Sequence, residues 1–176
     1  NKLYQINVNS DELLFDIKDY ESGESVKTFA VSKKDTIRFK NSPLLMQIED
    51  RAPRELKNTA RFLKELSAVN AGISGFKINK NILITLGGTG SDSKTVAVNG
   101  FSFDDFFGDF PSRSYYNLDT NYSVFFESIW TKKLDITHET HEPFATDKMY
   151  FFLDSHKEMS FSNILKLNNY TILSYY

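Results

Sequence analysis

Two histidines and two carboxylates fall within five residues at His138-Glu139-Thr140-His141-Glu142. Imidazole nitrogen and carboxylate oxygen are the ligands that zinc and iron take. His156 is the remaining histidine of three, so the candidate metal set is His138, His141, Glu142 and His156. The spacing argues against a site preformed on one element. Residues three apart point to opposite faces of a strand. A helix there would run into Pro143, with Thr137 and Thr140 already disfavouring it. The helix of a metalloprotease sets its two histidines four apart, and these stand three apart. A polar loop between strands is the better reading of the segment. Metal binding remains the alternative chemistry, and no other cofactor is expected.

The stretch Gly88-Thr89-Gly90-Ser91-Asp92-Ser93-Lys94-Thr95 comes after an apolar run, as a phosphate-cradling loop does. Ser93 stands where that loop needs its second glycine. Val96-Ala97-Val98 comes next, a strand-like run, and without a helix N-terminus the loop has no dipole and no free N–H groups to offer an anion. The segment reads as a Gly-rich hairpin loop.

Arg54, Lys57, Arg61 and Lys64 recur at helical intervals, with Arg51 just before them. On one helix face they would make an anion-binding stripe for phosphate, acidic lipid or an acidic partner. The stripe lacks the interleaved aromatics on which bases stack. A solvated face is its plainer explanation, because an amphipathic helix must present charge somewhere.

The segment 101–110 reads Phe-Ser-Phe-Asp-Asp-Phe-Phe-Gly-Asp-Phe. Its carboxylates lack the alternating spacing of a calcium loop. Phe101, Phe103, Phe106, Phe107 and Phe110, rimmed by Asp104 and Asp105, are the candidate protein-docking surface. A core-facing helical turn capped by the aspartates explains the same residues about as well. Asn121-Tyr122-Ser123 and Asn169-Tyr170-Thr171 match the glycosylation acceptor pattern. Nucleophilic catalysis has no elbow motif and no cysteine to work with, and no catalytic residue is assigned.

The elements that must hold these residues are mostly strands. Apolar runs at Leu3–Val8, Leu13–Ile17, Val26–Val31 and Ile37–Phe39 alternate with polar residues and are parted by turn residues, the pattern of antiparallel strands. Leu56, Ala60, Leu63, Leu66, Val69 and Ile73 change the period to that of one helix face, which predicts an amphipathic helix over about 53–72, with Pro53 in its first turn and Gly72 and Gly75 as stops. Strands resume at Ile78–Leu86 and Val96–Val98. Asn99-Gly100 marks a hairpin, with a short helical turn expected after it. The remaining predicted strands are 124–130, 134–137, 148–153, 164–167 and 171–176.

Composition sets the outer bounds. A chain of 176 residues that is 40% apolar and 25% charged is long enough for one globular core. Sixteen Phe and nine Tyr favour sheet surfaces. A net charge of −2 gives no basic field for nucleic acid. With no cysteine, disulfides and thiolate sites are excluded. No run reaches the length of a membrane span. The chain starts at Asn1 rather than Met, so an upstream segment is expected, and an extracytoplasmic, surface or virion setting is favoured over the cytoplasm.

The fold class expected is mostly β: an antiparallel sandwich or barrel with one flanking amphipathic helix, in a single domain over 1–176. An α+β fold is the alternative. The function expected is a non-enzymatic protein-binding or structural module in a larger secretion, surface or viral assembly. Its partner would be another protein, with a homo-oligomer compatible and nucleic acid not expected. The alternatives are a metal-binding protein or metal-dependent enzyme centred on 138–142, and an immunity-type inhibitor of a toxin.

Overall fold

The computed structural model describes residues 1–49, 51–99, 113–138, 145–159, 162–167 and 170–175. In chain order the elements are β1 (Lys2–Val8), β2 (Glu12–Asp19), β3 (Ser25–Ser32), β4 (Leu45–Ile48), β5 (Arg54–Glu55), α1 (Thr59–Leu66), β6 (Asn70–Ile78), β7 (Asn81–Asn99), β8 (Arg113–Trp130), α2 (Ala145–Ser155), β9 (Ser162–Leu167) and β10 (Tyr170–Tyr175). They form a three-stranded sheet β1-β2-β3, a five-stranded sheet β5-β4-β8-β7-β6 and the hairpin β9-β10. Every pairing is antiparallel, and none of the sheets closes into a barrel. The sandwich expectation therefore holds.

The first sheet arises from period-two patterning and two side-chain-built turns. Leu13, Phe15 and Ile17 alternate along β2 and are fully buried. Asn9 shapes the first turn, its side-chain oxygen accepting from the N–H groups of Asp11 and Glu12 at 2.8 and 2.9 Å. Asp19 shapes the second by accepting from Glu21 and Ser22. Gly23 there takes a φ of 72°, a conformation open to glycine.

The buried face of that sheet meets the inner face of the five-stranded sheet, where Val124, Phe126 and Trp130 alternate along β8, with Ile84 and Leu86 on β7. Phe62, Leu63 and Leu66 of α1 enter the same core, and Phe62 meets Phe126 edge-on at 5.5 Å between ring centres. Burying a side chain of this size contributes about 1.5–3 kcal/mol.

Several elements differ from the sequence reading. The flanking helix is present but spans only Thr59–Leu66. Asn58 decides its start, accepting from Arg61 N–H at 2.9 Å, while Arg54 and Glu55 pair with Met46 and Leu45 as a short strand. Past Leu66 the chain turns at once into β6, whose nine residues all pair with β7. Ile37 and Phe39 are buried as predicted, but in a loop rather than a strand. Side chains pin that stretch to β8. Asn41 accepts from Ile129 N–H and donates to the Thr137 carbonyl, Ser42 Oγ accepts from Glu127 N–H, and the Ser128 hydroxyl donates to the Phe39 carbonyl.

The predicted strand 134–137 is reduced to a single bridge from Ile136 to Trp130. The predicted strand 148–153 lies in α2, where Met149, Tyr150, Phe152 and Leu153 have a helical period that the apolar run conceals. The Gly-rich hairpin loop at 87–93 is instead the middle of β7, paired throughout with β8. Neither helix is long and apolar enough to cross a membrane.

Candidate functional site

The inner face of the five-stranded sheet is core, and on the outer face Leu83 and Ile129 are buried as well, so the open part of that face is the stretch around Ser123 and Thr89. Alternation sets what that face shows. On β8, half-buried Ser123, Phe125 and Glu127 alternate with buried Val124, Phe126 and Ser128, and the alternation ends where Ile129 and Trp130 are both buried. On β7, Thr85, Gly87 and Thr89 share the outer face, because they pair with Glu127, Phe125 and Ser123.

The register carries one polar line straight across four strands. Gln47 of β4 pairs with Ser123 of β8, Ser123 with Thr89 of β7, and Thr89 with Asn70 of β6. Three inter-strand steps of about 4.8 Å make a row about 14 Å long. All four side chains are neutral, and each both donates and accepts hydrogen bonds. Among the described residues, none of them is held by a side-chain hydrogen bond. Asn70 and Thr89 are exposed, and Gln47 and Ser123 half-buried.

This row is the crest between two hollows. One is a cleft of about 850 Å³ on the side of Glu49, Asn121, Tyr122 and Tyr150. The other is a trough of about 430 Å³ on the side of Gly72, Ser74, Thr85, Gly87 and Phe125. The glycines are there because backbones and side chains come too close for a Cβ. At Gly87 it would lie 2.5 Å from Phe125 Cβ and from the Val124 carbonyl, and at Gly88 2.6 Å from Val69 Cγ2. Gly72 differs in having nothing within 4 Å of the position. A third hollow, of about 320 Å³ and mostly apolar, adjoins Phe125 where Phe151 of α2 approaches Pro43, Leu45 and Ile129. Phe151 is 53% exposed.

Electrostatics are quiet here. Glu49 is the only formally charged residue among the described residues that line the cleft. Among the described residues, the carboxylates held below their ordinary pKa all belong to the β1–β3 meander. The Lys33 ammonium lowers Asp11, the Ser25 hydroxyl lowers Asp16, and the Lys2 ammonium with two turn N–H groups brings Asp19 to about 2. These are turn and strand contacts, in the other sheet.

The residues singled out from sequence lie elsewhere. Arg54 is on β5, its guanidinium 3.4 Å from Met46 Sδ; Lys57 precedes the helix, and Arg61 is paired with Glu65 at 2.5 Å. Only Arg61 and Lys64 are on α1, so the four cations do not share one helix face. His138 is exposed at the end of its segment. His156 closes α2, its Nδ1 2.8 Å from the Phe152 carbonyl and its ring stacked on Phe152. No group of three or more potential metal ligands converges among the described residues. His141 and Glu142 lie outside those residues, as do Phe101, Phe103, Asp104, Asp105, Phe106, Phe107 and Phe110.

Sequence reasoning missed the crest, although its signal was present. Thr85, Gly87, Thr89 and Ser91 alternate with Ile84, Leu86 and Gly88, the period of a strand with one polar face. No family model matches the chain, and neither a curated protein nor a solved structure matches it.

Proposed function

We propose that the chain is a non-enzymatic binding module of a larger assembly, and that its working surface is the outer face of the five-stranded sheet. The observation that supports this is the crest of Gln47, Ser123, Thr89 and Asn70 between two hollows. Four adjacent side chains with unused hydrogen-bonding capacity, running from β4 across the central strands to Asn70 on the edge strand β6, are positioned to recognise rather than to stabilise. Concave sites with a few placed polar groups beside an aromatic wall are the usual form of a ligand site. Because β8 and β7 are interior strands, their side chains are held in fixed relation without loop ordering on binding.

The test uses Gly72→Trp, which projects into the trough from a position with no atom within 4 Å of its Cβ, with an unchanged circular dichroism spectrum and melt as the check on folding. Wild-type and variant proteins are immobilised and exposed to a fractionated extract of the protein's source. A component retained by the wild type and at least roughly tenfold less by the variant is the expected result, equivalent to about 1.4 kcal/mol of binding energy. Equal retention by both would mean that this face is not the working surface.

A further inference from the structure

We infer that the crest and its two hollows form a binding site for a neutral oligosaccharide, an inference that rests on the working surface proposed above. At the centre of the crest the backbone groups of Ser123 and Thr89 are committed to the ladder, because β8 and β7 are paired on both sides there, whereas Asn70 lies on the edge strand β6. An extended peptide, which docks by backbone pairing at a sheet edge, has no such partner over β8 and β7. Recognition there must come from side chains.

Those side chains are amides and hydroxyls without charge. Gln47 and Asn70 each present a carbonyl oxygen and an NH₂ group side by side, and Ser123 and Thr89 each present a hydroxyl between them. A sugar's neighbouring hydroxyls each donate and accept, and they ask for this mixed set. A phosphate or sulfate ligand asks instead for cations. Among the described residues the cleft carries none, and Glu49 would repel an anion.

The aromatic residues complete the match. A pyranose ring has an apolar C–H face as well as its hydroxyls. Phe125 stands on the trough side of the crest, half-buried, and Tyr150 of α2 lines the cleft on the other side, while Tyr122 packs its ring toward the core against Gly90. Aromatic rings give such a face a flat apolar surface. The row is about 14 Å long, enough for several linked rings laid across the strands. A single small polyol would use only one end.

The experiment titrates ¹⁵N-labelled protein with cellohexaose, maltohexaose, xylohexaose, mannohexaose and chitohexaose, with a sulfated hexasaccharide as the charged control. The expected result is saturable shifts of the Gln47 and Asn70 side-chain NH₂ signals and of the Thr89 and Ser123 amides with at least one neutral probe, and none with the control. Gln47→Ala with Asn70→Ala, both on the outer face and so neutral for folding, is expected to weaken that binding roughly tenfold or more. Phe125→Leu, which keeps an apolar side chain beside Gly87, is expected to weaken it as well.

Absence of shifts with all five neutral probes at millimolar concentration would overturn the oligosaccharide assignment. Binding that survives the double variant unchanged would overturn it too. In either case a component lost with Gly72→Trp would still leave the face as a binding surface for another class of ligand. Loss of that difference as well would remove both.

Discussion

The Phe15 ring meets the Trp130 indole edge-on across the two sheets, with centroids 6.0 Å apart and planes at 77°. Phe29 approaches the same indole at 5.2 Å and 83°, and the Lys27 ammonium stands 5.8 Å from its ring centre. Both Phe15 and Trp130 are fully buried, so the contact couples the small sheet to the large one. Phe15→Ala is expected to lower unfolding free energy by about 3–5 kcal/mol, as large-to-small changes in a packed core do. Urea denaturation followed by Trp130 emission measures it. A loss under about 1 kcal/mol would mean that the sheets do not depend on this contact.

Gly87 and Gly72 face each other across β7 and β6 and are expected to respond in opposite ways to the same change. A methyl at Gly87 would lie 2.5 Å from Phe125 Cβ, and Gly87→Ala is expected to cost about 1–3 kcal/mol through overpacking. Gly72 has open space and an ordinary φ, so Gly72→Ala is expected to be neutral or to stabilise by up to about 1 kcal/mol, by restricting the unfolded chain. Paired thermal melts decide between these outcomes.

Asp19 is held near a pKa of about 2 by the Lys2 ammonium at 2.9 Å and by the turn N–H groups of Ser22 and Glu21. A folded-state value below the unfolded one contributes stability that is fully present above the unfolded value, near 3.8, and is lost as pH falls toward 2. Carbon-detected titration is expected to place the Asp19 carboxyl at about 2 in the wild type and closer to 3.8 in Lys2→Ala. An unchanged midpoint in the variant would assign the depression to the turn alone.

Asn58 starts α1 by accepting from the Arg61 N–H at 2.9 Å. Asn58→Ala is expected to cost about 1 kcal/mol, and Asn58→Asp to be nearly neutral, because either carboxamide or carboxylate can cap. The helix is only eight residues long, so this one cap is a large part of what holds its register. Chemical denaturation of the two variants side by side measures the difference.

How much of the fold is legible in the residues depends on how local each signal is. Leu13, Phe15 and Ile17 announce a strand, because burial on one face and exposure on the other demand period two, and Val124 to Trp130 does the same. The helix at Thr59–Leu66 shows in its apolar spacing, but its ends do not. Leu56 and Ile73 extend the pattern while belonging to a loop and to β6. The glycines at 87, 88 and 90 resemble a loop in one dimension. They sit in a strand because Val69, Tyr122 and Phe125 lie against them, and those neighbours are distant in sequence.

The candidate site divides the same way. That β7 and β8 each have a polar face is present in the alternation of Thr85, Thr89, Ser123 and Glu127 with apolar residues. That Gln47, Ser123, Thr89 and Asn70 form one row depends on the registers of three strand pairs, and a one-residue slip in any of them would send a member to the other face. The sequence by itself determined a cysteine-free, aromatic-rich, antiparallel β protein with a flanking helix, because composition and period are local properties. Only the tertiary structure decided where the polar face opens into a cleft, because that depends on which strands become neighbours and on the empty space their glycines leave between them.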